Sequence, residues 1–361
     1  MPLKFKKTLI SGEAFESASV FDVDNDGTLD IVSGGFWYKG PDFFFRYRIG
    51  DVERTGEYYD DFSTIPMDIN GDGRIDFITG GWFGETLRWV ENPGNSNMDW
   101  PVHQIAVTGN IETTRAWDVD GDGELEIVPN TPGQPLYAFK LVRDHDGKGT
   151  GEFTKHLIFD RAQGHGLGFG DIDGDGRGEF VLIGGWLKAP EVPLSGPWTF
   201  HSEFQLDSLS SVPILVVDIN DDGVNELIVG AAHGYGLDWY EQQLQPDGSR
   251  NWIKHPIDPF NAQYHDLQWA DIDGDGKNEL ITGKRHRAHN GHEDGEADDL
   301  GIYYFKWNGE SFSKQVIAYG PQGEGAGTGI YFWLADLRNT GRLDIVAPGK
   351  DGLQVFYNEG L

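Results

Sequence analysis

The chain is 361 residues long and rich in Gly (51) and in aromatics (12 Trp, 13 Tyr, 22 Phe), which excludes a helical bundle and a disordered chain. With no Cys, disulfides and thiolate chemistry are excluded, and any bound metal must take oxygen or nitrogen ligands. A formal charge of -31 and the lack of any apolar run of membrane-spanning length argue against nucleic acid and membrane as partners.

The opening MPLKFKKTLISGEAF lacks an apolar stretch of signal-peptide length. That favours the cytoplasm, whereas weak calcium loops fill at extracellular or periplasmic concentrations, so the compartment stays open. From Asp22 onward one string repeats: DVDNDG at 22–27, DINGDG at 68–73, DVDGDG at 118–123, DIDGDG at 171–176, DINDDG at 218–223 and DIDGDG at 271–276. A decayed copy, DLRNTG, stands at 336–341. Each copy has a second acid eight residues after its first Asp, followed by an apolar stretch.

Acids at positions 1, 3, 5 and 9 of a tight Gly-containing loop converge on a hard cation, and six Ca²⁺ sites are expected. Their ligands would be Asp22, Asp24, Asp26 and Asp30, then Asp68, Asn70, Asp72 and Asp76, then Asp118, Asp120, Asp122 and Glu126. The remaining three sets are Asp171, Asp173, Asp175 and Glu179; Asp218, Asn220, Asp222 and Glu226; and Asp271, Asp273, Asp275 and Glu279. In the seventh copy Arg338 and Thr340 replace two acids. There Arg338 is expected to pair with Asp336 or Asp344 in place of an ion. An EF-hand is excluded, because the flanking segments are β-rich rather than helical.

The pattern D-x-D-G-D-G-x-x-D-I-V, carried by residues 22–32 and 171–181, resembles the FG-GAP/VCBS repeat family. That resemblance implies a calcium-dependent β-propeller, as in integrin α-chain heads, and leaves function open between adhesion module and enzyme.

Each repeat reads as four short strands, the first ending at the loop and the third aromatic (TLRWVEN, GLDWYEQ, LQVFYNE). The fourth carries an aromatic and then a polar residue, as in WPVHQIA and WIKHPID. Seven repeats predict a single all-β domain over 1–361, a seven-bladed propeller of four-stranded blades with almost no helix. The last repeat lacks a fourth strand, and residues 3–10 fit that place and would close the ring.

If the acidic loops join strands one and two, they share one face of the disc. His103, His156, His201 and His255 then fall on fourth strands, and His145 on the loop face. The other six histidines fall on the opposite face, around the channel mouth. The innermost positions there lie just before strand one or just after strand two. They include Glu16, Tyr59, Asp61, Arg115, His165 and His265 from the first set. Trp82, Trp186, His233, Lys284, Arg285, His286 and Lys350 come from the second.

His165, His233 and His265 come from neighbouring blades and make a candidate Zn²⁺ or Mn²⁺ site, the alternative being a bare general base. Residues 283–301 (GKRHRAHNGHEDGEADDLG) read as a lid, and 184–198 (GGWLKAPEVPLSGPW) as a possible wall.

These features favour a carbohydrate-active lyase or dehydratase working by β-elimination on a keto-sugar or uronate glycan. His265 or His286 would be the base, Arg115 or Lys284 the anion stabiliser and Tyr59 the acid. Trp82, Trp186, Arg285, Lys350, Glu16 and Asp61 would bind substrate. The loops and the segment KRHRAHNGHEDGE also resemble the propeller part of aldos-2-ulose dehydratase, without its further domain. The alternative is a non-catalytic, calcium-dependent propeller that binds glycan or protein. The favoured reading expects a sugar or glycan ligand, on a monomer or small homo-oligomer.

Overall fold

A computed structural model describes residues 2–95, 98–289 and 291–361. Seven four-stranded antiparallel sheets stand around a ring. Blade one is built from Ser19–Phe21, Asp30–Ser33, Phe36–Tyr38 and Arg46–Arg48, and blade two from Ile65–Met67, Asp76–Gly80, Thr86–Val90 and Val102–Val107. Blade three comprises Thr113–Trp117, Glu126–Asn130, Leu136–Arg143 and Gly149–Phe159, and blade four Leu167–Gly170, Glu179–Leu182, Gly185–Lys188 and Thr199–His201. Blade five uses Leu215–Val217, Glu226–Gly230, Leu237–Leu244 and Arg250–Pro256, and blade six Tyr264–Ala270, Glu279–Lys284, Leu300–Trp307 and Phe312–Gly320. Trp333–Ala335, Asp344–Ala347 and Leu353–Gly360 form blade seven, and Lys4–Ser11 adds to it as the outer strand.

That closure runs antiparallel, with Lys7 opposite Phe356 and Thr8 opposite Val355. It covers the edge that blade seven would otherwise leave open. At the axis the ring is tied by Ala18 N–H donating to the Tyr331 carbonyl at 3.0 Å. The only helical turn among the described residues is Pro193–Ser195. Second strands such as Asp76–Gly80 and Glu226–Gly230 are buried along their whole length, which explains their unbroken apolar runs.

Each acidic loop is held by its own backbone. The first Asp accepts from the sixth-position Gly, as Asp22 Oδ2 does from Gly27 N at 2.7 Å and Asp336 Oδ2 from Gly341 N at 2.6 Å. That glycine has φ between 75° and 90° in all seven loops, a left-handed conformation that side chains resist. The ninth-position acid opens strand two, is buried, and accepts from the second loop residue; Glu226 does so from Ile219 N at 2.9 Å.

One expectation fails at blade four. The chain reverses after Leu182 and pairs it at once with Gly185, so Trp186 lies in strand three rather than at the mouth. There it stacks on His201 of strand four, ring centroids 4.2 Å apart, as Trp89 does on His103 (4.2 Å) and Trp239 on His255 (4.4 Å). Most of segment 184–198 therefore leads from strand three to strand four and builds no wall at the channel mouth.

Candidate metal centre at the channel mouth

The mouth is built from one register position. Six residues before each loop-opening Asp stand Glu16, Phe62, Glu112, His165, Val212, His265 and Ile330. All seven are buried at the head of their innermost strands. Second strands deliver His233 after blade five and Arg285 after blade six.

Four of these side chains converge. Glu112 Oε1 lies 2.9 Å from His265 Nε2, 3.2 Å from His165 Nε2 and 3.9 Å from His233 Nε2. His165 Nε2 and His233 Nε2 are 3.0 Å apart, and the three rings stand nearly perpendicular to one another. The edge of a tetrahedron with metal–nitrogen bonds of about 2.0–2.1 Å is roughly 3.3 Å, so these separations suit a four-coordinate cation. Glu112 was not among the sequence candidates. It obeys the same spacing rule as His165, but blade three had contributed Arg115, three residues further on.

The outward nitrogens fix the tautomers. His165 Nδ1 is 2.7 Å from the Ser210 carbonyl, which can only accept, so Nδ1 carries the proton. His233 Nδ1 likewise faces the Glu293 carboxylate at 3.0 Å. Both Nε2 atoms therefore point at each other and at the Glu112 carboxylate. Burial keeps His233 neutral, pushing it down to about 2, and holds His265 well below the imidazole range. Burial would raise Glu112, but His165 and His265 hold it well below the usual carboxylate range. A nitrogen–oxygen donor set of this kind suits Zn²⁺ or Mn²⁺.

Arg285 closes the inner side, its Nε 2.9 Å from Glu16 Oε1 and its Nη1 3.5 Å from Glu112 Oε1. A cavity of about 300 Å³ opens above, walled by Tyr58, Phe62, Trp82 and Phe83 and reaching Glu112, His165, His233 and His289. His289 is half-exposed, stacks on His233 with ring centroids 4.4 Å apart, and points Nδ1 at Glu293. Glu293 thus orients two imidazoles from one carboxylate.

The lid segment is fastened rather than loose. Tyr58 Oη donates to the Ala288 carbonyl at 2.6 Å, and Arg287 forks onto Glu57 at 2.9 and 2.6 Å. Lys284, expected as an anion stabiliser, donates to the Gly295 carbonyl and to that of Asp298 at 2.9 Å, so it pins the lid. Lys350 similarly donates to the Arg287 carbonyl at 2.6 Å and sits 4.0 Å from the Tyr58 ring.

The structure separates other expected members from the mouth. Arg115 pairs with Asp266 at 2.6 Å and lies over the Tyr331 ring, a position that lines a different cavity. Tyr59 packs on Phe15 at 4.4 Å, leaving Tyr58 to face the cavity. His286 is buried with both nitrogens unpartnered, and burial pushes it down to about 4, but it does not line the cavity. Asp61 faces another cleft, between blades one and two. Trp82, Arg285, His165 and His233 line the cavity as expected; His265 touches only the cluster beneath it.

On the opposite face, a lysine ammonium stands among the acids of four loops. Lys39 bridges Asp24 and Asp26; Lys140 bridges Asp120, Asp122 and Glu126 (2.7, 2.6 and 3.1 Å). Lys188 bridges Asp173 and Asp175, and Lys306 bridges Asp273 and Asp275. Each lysine stands opposite the ninth-position acid, in strand three for Lys140, Lys188 and Lys306 and one residue past its end for Lys39. In loops two and five, where position three is Asn, that place holds Glu91 and Glu241 instead, each turned to a histidine (2.7 and 2.9 Å). Loop two has Arg74 against Asp72, whereas among the described residues no cationic side chain pairs with the ligand set of loop five, whose Glu226 Oε1 is buried without a partner there. In loop seven Arg338 pairs with Asp344 at 3.1 Å, one of its two expected partners.

Residues 68–128 and 196–282 match the family described as FG-GAP-like repeat. No curated protein matches the chain. Among solved structures it is similar to BBS1N, crystallised in complex with ARL6DN and soaked with lead, at TM-score 0.56 and 11% identity over 99% of this chain and 97% of that one. The mercury-soaked crystal of the same complex gives TM-score 0.55 at 11% identity, with the same coverage. At that identity the likeness is one of fold.

Proposed function

We propose that this FG-GAP-repeat propeller is a metal-dependent carbon–oxygen lyase acting on a sugar-like substrate in the mouth cavity. The observation that carries the reading is the convergence of His165, His233 and His265 Nε2 on Glu112, with the outward nitrogens of His165 and His233 engaged by Ser210 and Glu293. Those four side chains would hold the ion, and when bound it would polarise a substrate carbonyl or carboxylate.

The chain's own residues supply the rest. Trp82 and Tyr58 offer aromatic faces to the apolar face of a sugar ring. His289, with Nδ1 held by Glu293, presents Nε2 as the base for the proton beside the carbonyl. The C–H and C–O bonds break, a C=C bond forms, and His289 returns the proton to the departing hydroxide as water. This assignment moves the base from His265, whose Nε2 is bound to Glu112, to a residue at the cavity surface.

Metal analysis of chelator-free protein, followed by an ultraviolet screen of keto-sugars and uronate glycans for elimination, tests the reading. About one zinc or manganese per chain with turnover supports it; neither metal nor turnover sinks it. A protein-binding propeller is the second reading. It is favoured by the complex in which the similar BBS1N fold was solved and by the exposed Phe44, Phe45 and Phe260. On that reading Glu112→Gln leaves partner binding intact.

A further inference from the structure

We propose that the cleft between blades one and two is a second ligand site, distinct from the mouth, that takes a primary ammonium group on a small apolar body. The cleft encloses about 330 Å³ and shares no lining residue with the mouth cavity.

Its lining carries buried polar groups without partners. Asp61 is only 4% exposed, yet among the described residues neither carboxylate oxygen has a hydrogen-bond partner from another residue. The neighbouring groups are already committed. Asp60 accepts from Phe83 N (2.8 Å), Gly84 N (3.2 Å) and Arg88 Nη1 (3.1 Å), and Arg88 also holds the Asp60 carbonyl. Thr79 Oγ1, also in the cleft, is buried and unpartnered. A buried carboxylate without a partner is destabilising or protonates, so such a group persists at a site where something else completes it.

The chemistry of the missing partner follows from the count. Two Asp61 oxygens and one Thr79 hydroxyl are three acceptors, and an ammonium has three N–H donors. Burial, and after it the charge of Glu16, raises Asp61 well above the carboxylate range, a penalty that a cation would reverse. Ile49, Phe77 and Trp100 wall the cleft with apolar surface, suited to an alkyl or aryl body rather than a hydrated metal ion. Glu53, exposed at the rim, adds negative charge that attracts a cation.

Isothermal titration of the full chain with n-butylammonium, n-butanol and CaCl₂ tests the assignment. The expected result is saturable binding of butylammonium alone, weakened roughly tenfold to a hundredfold in Asp61→Asn by loss of charged hydrogen bonds. Thr79→Val, nearly isosteric, should weaken it less. Circular dichroism and the melt confirm that both variants fold. No binding of butylammonium, equal affinity in Asp61→Asn, equal binding of butanol, or full displacement by calcium would each overturn the proposal.

Discussion

Chelation separates two pictures of the acidic loops. If all six loops held calcium, each ion would contribute about 2.7 kcal/mol at a hundredfold excess over its dissociation constant, roughly 16 kcal/mol together. Unfolding entropy of about 2.1 cal/mol/K per residue gives about 0.8 kcal/mol/K for a chain of this length, so EDTA would lower the melt by about 20 °C. Fewer ions are expected if Lys39, Lys140, Lys188 and Lys306, each set against two or more of the four acids of its loop, stand in for the cation there. Of the six intact loops, two and five lack a lysine, and loop two is partly met by Arg74. One or two ions predict a drop of about 4–7 °C by the same arithmetic. The assay is scanning calorimetry in calcium and in EDTA, with atomic emission for the ion count. Lys140→Met adds a second arm. With its ammonium gone, Asp120, Asp122 and Glu126 should recruit calcium, raising the count by one and widening the EDTA shift by about 3–4 °C. A wild-type shift near 20 °C with six ions, or no shift at all, refutes the reasoning.

Further outcomes are expected. Glu293→Gln should weaken zinc binding by about 10–100-fold, as loss of a carboxylate behind a metal-bound histidine does, read by competition with a chromophoric chelator. His289→Ala should cut elimination by about 10²–10⁴-fold while metal content is unchanged, and loss of the metal would instead make it a ligand. Burial raises Glu226 to about 7, above its value in the unfolded chain, so the native state holds the extra proton between these pH values. In EDTA, stability should therefore fall as pH rises from about 4.5 to 7, and Glu226→Gln should flatten that slope. Deleting residues 1–11 strips Lys4–Ser11 from Leu353–Gly360, and size-exclusion chromatography should then show edge-driven self-association; a stable monomer would speak against the closure argument.

How much of the site was legible depends on which distances a sequence encodes. The fixed spacing from each loop Asp marks the axial position, so His165 and His265 could be read off, and Glu112 stood at the same offset unread. The lysine plugs were also legible, as residues in or just past strand three opposite the ninth-position acids, with Glu where loop position three is Asn. Trp186 was misplaced because a two-residue reversal after Leu182 leaves little trace in composition, and one skipped turn moves a side chain to another strand.

By itself the sequence determined the seven blades, the loop face and the closing strand, because these follow from repeats whose period and turn chemistry are local. Only the tertiary structure decided which polar groups meet. Glu112 reaches histidines 53, 121 and 153 residues away through a ring whose blade angles no single segment carries. Among the described residues Asp61 is left without a partner for the same reason: its isolation depends on Asp60 having taken Arg88, an outcome of packing between strands rather than of any pattern along the chain.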